Sequence, residues 1–337
     1  MRTLTVGKND SQKRIDKFLQ KALINIPSGL LQKYFRKKCF KINGVKANPG
    51  DIVSEGDIIT LFISDEFFPD GENQVKKQEK FMLDSCTLQP CDIVYEDENI
   101  MLLDKPQGEL VHSNLPDEKA KADEICLVDR FIGYLYKKGE YNPKNEQSFV
   151  PSLCNRLDRN TCGIVIAAKN AASLRIMNDK VKMREMVKTY HALCYGVPKK
   201  KQDVLKHFHY KDRNANRVYI YDTPEQAKKL SGTRYDDDIK TVITKYKTIN
   251  SDGEKSLLEV ELITGRTHQI RAHLAYIGCP IVGDGKYGIN HKGKTGVKYQ
   301  MLCSHKLKFE FKTDSGLLSY LDGKEFVSRF DFSFQEK

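Results

Sequence analysis

The sequence predicts an α+β fold in two parts: a small basic N-terminal unit, then a larger domain on a mainly antiparallel mixed sheet. Three observations carry this. Apolar runs of strand length outnumber runs with helical spacing. Many of the strand-like runs are sequential neighbours, the pattern of antiparallel pairing rather than of repeated strand–helix–strand units. Between the two parts, residues 65–90 (DEFFPDGENQVKKQEKFMLDSCTLQP) are polar with no sustained period and read as a linker. At 337 residues the chain is long enough for two domains and a well-buried core.

Within residues 1–64, Ile15, Phe18, Leu19, Ala22 and Leu23 fall at helical spacing and predict one amphipathic helix. Ser28 is placed to cap a second helix that turns Leu30, Leu31, Tyr34 and Phe35 inward and ends in Arg36-Lys37-Lys38. Phe40-Lys41-Ile42, the turn pair Asn43-Gly44 and Val45 predict a hairpin, and the run from Asp57 to Ile63 a closing strand. The second domain, 91–337, opens with strand-like runs at Asp92–Tyr95 and Ile100–Asp104. Residues 112–150 are polar, partly a loop insertion, with one helical piece from Ile125 to Tyr136 and an exposed loop over 138–148. A helix is predicted from Ala171 to Val181, a strand from Val187 to Gly196, and further strands at Thr241–Ile249 and Ser256–Ile263. Thr267 is placed to cap a short helix through Ala275 that Gly278 ends. The stretch 199–238 is rich in charge and turn formers and reads as surface connections or a hairpin.

The charge balance narrows the partner. The chain carries 56 Lys and Arg against 45 Asp and Glu, a net of +11, and residues 1–64 alone hold 12 against 5. Most of the excess therefore sits in about a fifth of the chain, and nucleic acid is the first candidate for an anionic partner. Arg36, Lys37 and Lys38 at a helix end would ordinarily compensate the helix dipole. Followed by Lys41 and Lys46 on the hairpin, with Arg14 ahead of the first helix, they widen into a phosphate-binding face. The nine cysteines are scattered and odd in number, with no C-x-x-C pair, which argues against a disulfide framework or a zinc ribbon and fits a reducing cytoplasm. No apolar run approaches a membrane span and the first residues lack a signal-peptide core, so a soluble cytoplasmic protein with no membrane partner is expected.

One stretch points to chemistry. Residues 155–163, Asn-Arg-Leu-Asp-Arg-Asn-Thr-Cys-Gly, set Asp158 between Arg156 and Arg159, close on a glycine and run into an apolar strand. Positive charge beside a carboxylate favours its ionised form. Carboxylates can act as covalent nucleophiles, and strand-end turns are where rigid scaffolds present reactive groups. By itself the stretch fits a capped turn equally well.

The domain from about residue 91 resembles the RluA-type pseudouridine synthases, the family that acts on large-subunit ribosomal RNA. Arg156-Leu157-Asp158 with Thr161 and Gly163 matches that family's catalytic aspartate loop, the run from Lys188 to Leu193 its tyrosine strand, and the run from Gly265 to Leu274 its arginine segment. Lys105-Pro106 with Gly108 matches an early strand-end loop. The N-terminal unit, with R-I-D-x-x-L at its start and I-N-G after its helices, resembles the alpha-L RNA-binding domain named after a small-subunit ribosomal protein. The resemblance implies a monomeric isomerase that flips a uridine out of RNA, with ribosomal RNA as the first candidate and transfer RNA the second. It implies Asp158 as nucleophile, Tyr190 lining the pocket or acting as base, and Arg271 paired with Asp158. Arg156 would enter the RNA helix where the base has left, and Arg266 would also contact RNA. Moving a base from one bond to another involves no redox step, so neither cofactor nor metal is expected. The alternative is a non-catalytic RNA-binding protein that keeps the fold. Asn155 and Cys162 depart from the His and Ser that many members carry there.

Two further patterns invite other readings. Residues 283–288 spell G-x-G-x-x-G and 288–295 fit G-x-x-x-x-G-K-[ST], but Ile281-Val282 is too short a strand to precede either and no helix start follows. No nucleotide cofactor is expected, and the glycine-rich run reads as a surface loop. His268 and His273 stand five apart without the glutamate of a zinc protease, and His207 and His209 read as a surface strand pair, so no metal site is expected among them.

Overall fold

A four-stranded sheet, a two-stranded ribbon and an eleven-stranded sheet carry the chain in the computed structural model, which describes residues 1–23, 26–68, 81, 83, 85, 87–112, 125–233, 238–288 and 296–332. The N-terminal unit comprises β1 (Arg2–Thr5), β2 (Lys13–Arg14), α1 (Ile15–Ala22), α2 (Ser28–Arg36), β3 (Phe40–Ile42), β4 (Val45–Lys46), β5 (Ile52–Val53) and β6 (Ile58–Leu61). Its sheet runs β1-β6-β3-β4, with Asn43 and Gly44 at positive φ in the hairpin turn, as a type I′ turn requires. Ile15, Phe18, Leu19, Leu31, Phe35 and Phe40 form one core with Ile59 and Leu61, so the amphipathic spacing read from the sequence is the buried face.

Two local expectations for this unit change. Pro27, not Ser28, holds the N-cap of α2, with no side-chain cap bond; Ser28 is the first helical residue and its hydroxyl donates to Gln20. The Pro27 ring presets an extended entry to the helix. Phe67 and Phe68, read from the sequence as linker, are instead buried in the N-terminal core, where the Arg2 guanidinium stacks over the Phe68 ring.

The large domain adds β7 (Ile93–Glu96), β8 (Ile100–Lys105), α3 (Leu127–Lys138), β9 (Ser152–Leu153), β10 (Cys162–Ala168), α4 (Ala171–Met183) and β11 (Met186–Tyr195). It continues with β12 (Gln202–Asp212), β13 (Arg217–Tyr221), α5 (Pro224–Ser231), β14 (Ile239–Ser251), β15 (Lys255–Leu262), α6 (Gln269–Tyr276), β16 (Leu302–Phe309) and β17 (Glu325–Val327). The sheet order is β13-β12-β14-β15-β11-β16-β10-β8-β7, with β17 on β16 and β9 on β10. Among the described residues every pairing in this sheet is antiparallel except β10 with β16, which pair at Cys162↔Cys303 and Gly163↔Ser304. Gly163 has φ 105°, and a Cβ there would lie 2.3 Å from the Ser304 carbonyl oxygen. Only glycine lets the strands approach so closely at this junction.

Within the stretch read from sequence as surface connections or a hairpin, residues 202–231 fold into the long β12–β13 hairpin and α5, which Thr223 caps by accepting from Gln226 N–H. The strands rest on cross-strand pairing that charge-rich composition hides. The loop expected to be exposed over 138–148 is partly buried instead, because Tyr141 and Ser148 are tucked in. Ser148 donates to the buried Asp10 of the N-terminal unit, Lys13 pairs with the same carboxylate at 2.9 Å, and Asn9 bridges Glu146 and the start of α4. The N-terminal unit is therefore docked on the large domain through a buried carboxylate.

Candidate active site

Asp158 sits in the loop entering β10, Tyr190 on β11 and Arg271 in the first turns of α6. The β10–β16–β11 order of neighbours brings the first two to the middle of the sheet, and α6 lays the third against them. Arg271 Nη1 donates to Asp158 Oδ2 at 2.8 Å across 113 residues of sequence. The sequence-expected pairing is thus present. The flanking arginines play no such part: Arg156 is exposed and has no ion-pair partner among the described residues, and Arg159 turns away to donate to the Gly108 carbonyl.

Arg271 is only 8 % exposed, and a buried guanidinium left unpaired would cost several kcal/mol. Asp284 meets that need. Arg271 Nε and Nη2 donate to its two carboxylate oxygens at 2.8 and 3.0 Å, a bidentate fork that fixes the plane of the guanidinium and aims Nη1 at Asp158. Burial works to raise the Asp284 carboxyl, but the bonds and charge of Arg271 and the backbone N–H groups of Lys286 and Tyr287 outweigh it and hold it below the ordinary carboxylate range. The sequence reading took 283–288 for a surface loop. Asp284 is instead buried, and Gly283, at φ 76°, supplies the turn, since a Cβ there would strike the Tyr299 carbonyl. The glycines flanking a lone acid were the available signal. The companion pattern at 288–295 lies mostly outside the described residues.

α6 is locked from behind. Gln269 donates to the Ile243 carbonyl and the Thr244 hydroxyl while accepting from Thr264 and Arg266 N–H, and buried His273 meets Thr244 at 2.8 Å. His268 rather than Thr267 holds the helix N-cap, at φ 51°. A left-handed histidine costs of order 1 kcal/mol and is found where surroundings over-determine it. Here its ring meets the Tyr287 hydroxyl at 3.0 Å and lies 3.9 Å from Asp158. Burial pushes the His268 imidazolium down to about 4, so the ring is neutral at neutral pH. The Tyr287 ring also covers the Arg271 guanidinium, 5.3 Å from its centroid.

On the other side, the buried Lys105 ammonium donates to three carbonyls, those of Pro106, Glu109 and Arg159. With Gly108 N–H donating to the Arg159 carbonyl, it ties the β8 strand-end loop to the Asp158 loop. Burial lowers Lys105 to about 8. Gln300 extends the tie, donating to Thr161 and accepting from Gln107. Asn155 accepts from Ile166 N–H at 2.7 Å, and the Cys162 thiol is buried against the Leu302 carbonyl. Both departures thus make loop-closing contacts. Tyr190 is buried among Leu258, Val260, Ile270 and Leu274. Burial, with the Asp158 charge nearby, pushes its phenol up to about 12, so it rests protonated.

The remaining predicted residues lie elsewhere. Arg266 is exposed just ahead of α6. In the N-terminal unit Arg14 pairs with Asp16 at 2.8 Å, while Arg36, Lys37, Lys38, Lys41 and Lys46 are exposed around the end of α2 and the β3–β4 hairpin. Among the described residues no helix is long and apolar enough to cross a membrane.

An aspartate loop, a buried tyrosine strand and an arginine helix converge on one carboxylate, an arrangement that fits a class of RNA base-modifying isomerase. Residues 99–276 match the family described as RNA pseudouridylate synthase. The chain is 29% identical to an RNA pseudouridine synthase of Mycoplasma capricolum subsp. capricolum, over 98% of this chain and 99% of that protein. It is 32% identical to ribosomal large subunit pseudouridine synthase D of Borreliella burgdorferi, over 83% of this chain and 78% of that one. Among solved structures, human RNA pseudouridylate synthase domain containing 4 shares the fold with a TM-score of 0.53 at 20% identity, covering 76% of this chain and 94% of that one. The chain belongs to the RNA pseudouridine synthase family and is an isomerase of that type.

The charge balance at the Arg271 hub yields a pH signature. A carboxyl held below its ordinary range contributes stability that is full above the unfolded value of about 3.9 and is lost as pH falls through the lower folded value. Asp284→Asn is therefore expected to reduce stability at pH 7 and to flatten the acid limb below about pH 4. Thermal unfolding from pH 7 to pH 3 checks this; parallel curves for the two proteins would contradict it.

Proposed function

We propose that this enzyme isomerises uridines in structured RNA, large-subunit ribosomal RNA first, with Asp158 as the nucleophile. The observation that carries the residue assignment is the 2.8 Å contact of Asp158 with a guanidinium that Asp284 already holds in plane. A carboxylate so oriented, with its side chain still 30% exposed, is accessible to an incoming nucleotide. The substrate class rests on relatives such as the Borreliella ribosomal large subunit pseudouridine synthase.

The chemistry follows from the groups present. The bond between uracil N1 and the sugar breaks, the base turns, and a carbon–carbon bond forms from the sugar to C5. C5 loses a proton, N1 gains one, and no electrons are exchanged. The Asp158 carboxylate attacks while the glycosidic bond is cleaved and is released when the new bond forms. Tyr190, a protonated phenol at rest, serves first as the pocket wall against the flipped base; it cannot take up a proton while it holds its own. Extruding the base costs a few kcal/mol of lost stacking. Exposed Arg156, one turn of loop from Asp158, fills the vacated position by stacking and phosphate contact.

The N-terminal unit supplies affinity. Lys41 and Lys46 stand directly opposite on the β3–β4 hairpin. Like charges in that position destabilise a sheet by a few tenths of a kcal/mol, so their presence suits an anion that neutralises both. Arg36, Lys37 and Lys38 continue the same basic surface.

Asp158→Asn assayed on deproteinised ribosomal RNA is expected to bind with near-normal affinity and to form no pseudouridine, a loss of at least about 10³-fold. Activity equal to wild type would remove Asp158 from its role and favour a protein that only binds RNA. Replacing Lys37, Lys38 and Lys41 together by alanine is expected to lower the slope of log affinity against log salt by about 2, at 0.7–0.9 per phosphate contact. An unchanged slope would make the basic surface merely solvated.

A further inference from the structure

The face of the sheet behind Tyr190 carries a second cluster. Along β11 and β16 alternate side chains point to opposite faces. Tyr190 and Ser304 turn to the active-site side, where the phenol is hydrogen-bonded to Ser304. His191 and His305 turn to the back, with Cys303 and Leu193. The two imidazoles stack with centroids 3.8 Å apart, and Asp331, from the segment after β17, meets His191 Nδ1 at 3.2 Å.

We propose that His191, His305 and Asp331 form a structural site for a divalent transition metal of the zinc class, which pins the C-terminal segment to the back of the catalytic sheet. One ligand atom from each of the three lies within 4.8 Å of the other two. Metal–ligand bonds of about 2.0–2.1 Å in a tetrahedron place ligands about 3.4 Å apart. The His191–Asp331 contact is close to that length at 3.2 Å; binding displaces the proton it now shares and turns the two imidazoles out of their stack, so that both in-plane lone pairs meet the ion.

The orientation of His305 is the second observation. Its Nδ1 faces the Phe330 carbonyl at 3.2 Å, and a carbonyl only accepts, so the ring proton sits on Nδ1 and the Nε2 lone pair is free. A backbone carbonyl on the far nitrogen is the arrangement that sets up a metal-binding imidazole. Two imidazoles and one carboxylate suit zinc, cobalt or nickel rather than calcium or magnesium, which prefer all-oxygen sites.

The segment has a reason to be pinned. Past β17 it runs along the sheet with the Ser328 hydroxyl and the Arg329 N–H donating to the buried Asp104 carboxylate, and Phe332 packs on Cys162 and Cys303. Cys162 lies four residues from Asp158, so this segment backs the strand that leads out of the nucleophile loop. Asp331 is the ligand the segment brings.

The test uses the full chain, stripped with a chelator and titrated with Zn²⁺ alone, with Co²⁺ as the spectroscopic probe. The expected result is one equivalent bound, Co²⁺ absorption without a thiolate charge-transfer band, and a melting temperature several degrees higher with metal. His305→Ala and Asp331→Asn should each weaken Zn²⁺ binding by at least about a hundredfold. Asp331 is largely exposed, so Asp331→Asn should melt like metal-free wild type, which separates lost binding from lost folding. Failure of wild type to take up one equivalent would overturn the proposal, leaving the cluster a plain hydrogen-bonded pair. Equal uptake by Asp331→Asn, His305→Ala and wild type would overturn it too, placing the metal elsewhere.

Discussion

Arg271 is a buried cation shared between two carboxylates, and the architecture of the large domain depends on that sharing. One partner, Asp284, takes two of its donors and is itself saturated by backbone N–H groups. The other, Asp158, takes the remaining donor and keeps much of its carboxylate free. The asymmetry divides the work. The Asp284 pair offsets the cost of burying charge, and the Asp158 pair orients that carboxylate while leaving it partly exposed. Were Asp284 absent, Asp158 would have to satisfy the guanidinium alone, and a carboxylate committed to a full bidentate ion pair has less of its surface free for other contacts.

The sheet exists in its particular form to bring these residues together. Antiparallel pairing alone would carry β10 and β11 to places set by their turns. The short parallel contact of β10 with β16, possible only because Gly163 has no side chain, inserts β16 between them and sets the Asp158 loop above the Tyr190 strand. The loop is held from outside by Lys105, whose three carbonyl contacts convert a buried charge into a clasp between two strand ends. Behind α6, Gln269 and His273 do for the arginine helix what Lys105 does for the aspartate loop. Rigidity of this kind fits a reaction in which the base must turn while its sugar stays put.

Much of this was legible in the residues. The amphipathic spacing of 15–23 and 30–35 gave the N-terminal core, Asn43-Gly44 gave its hairpin, and Arg156-Leu157-Asp158 with the run from Gly265 to Leu274 gave the two halves of the site. What escaped were effects of long-range contact. Asp284 hid inside a glycine-rich run because nothing local to 283–288 shows that the turn points inward at Arg271. The strands of 202–221 hid because their faces carry Lys, His and Tyr, whose apolar bodies pack while their tips stay wet. Ser148 looked like part of an exposed loop because its partner, Asp10, lies 138 residues away. The His191, His305 and Asp331 grouping has no local spacing at all; it arises from strand neighbours and a returning C-terminal segment.

The central claim is that Asp284 acts on catalysis through Arg271 and not independently. A double-mutant cycle on the single-turnover rate of pseudouridine formation, with Arg271→Lys, Asp284→Asn and the pair, measures this directly. A lysine cannot form the planar fork, so either change alone should disorient Asp158, and the double variant should be little slower than the worse single one, a coupling on the order of 1–3 kcal/mol. Strictly additive losses would show that the two residues act separately, and that Asp158 is positioned by something other than the shared arginine.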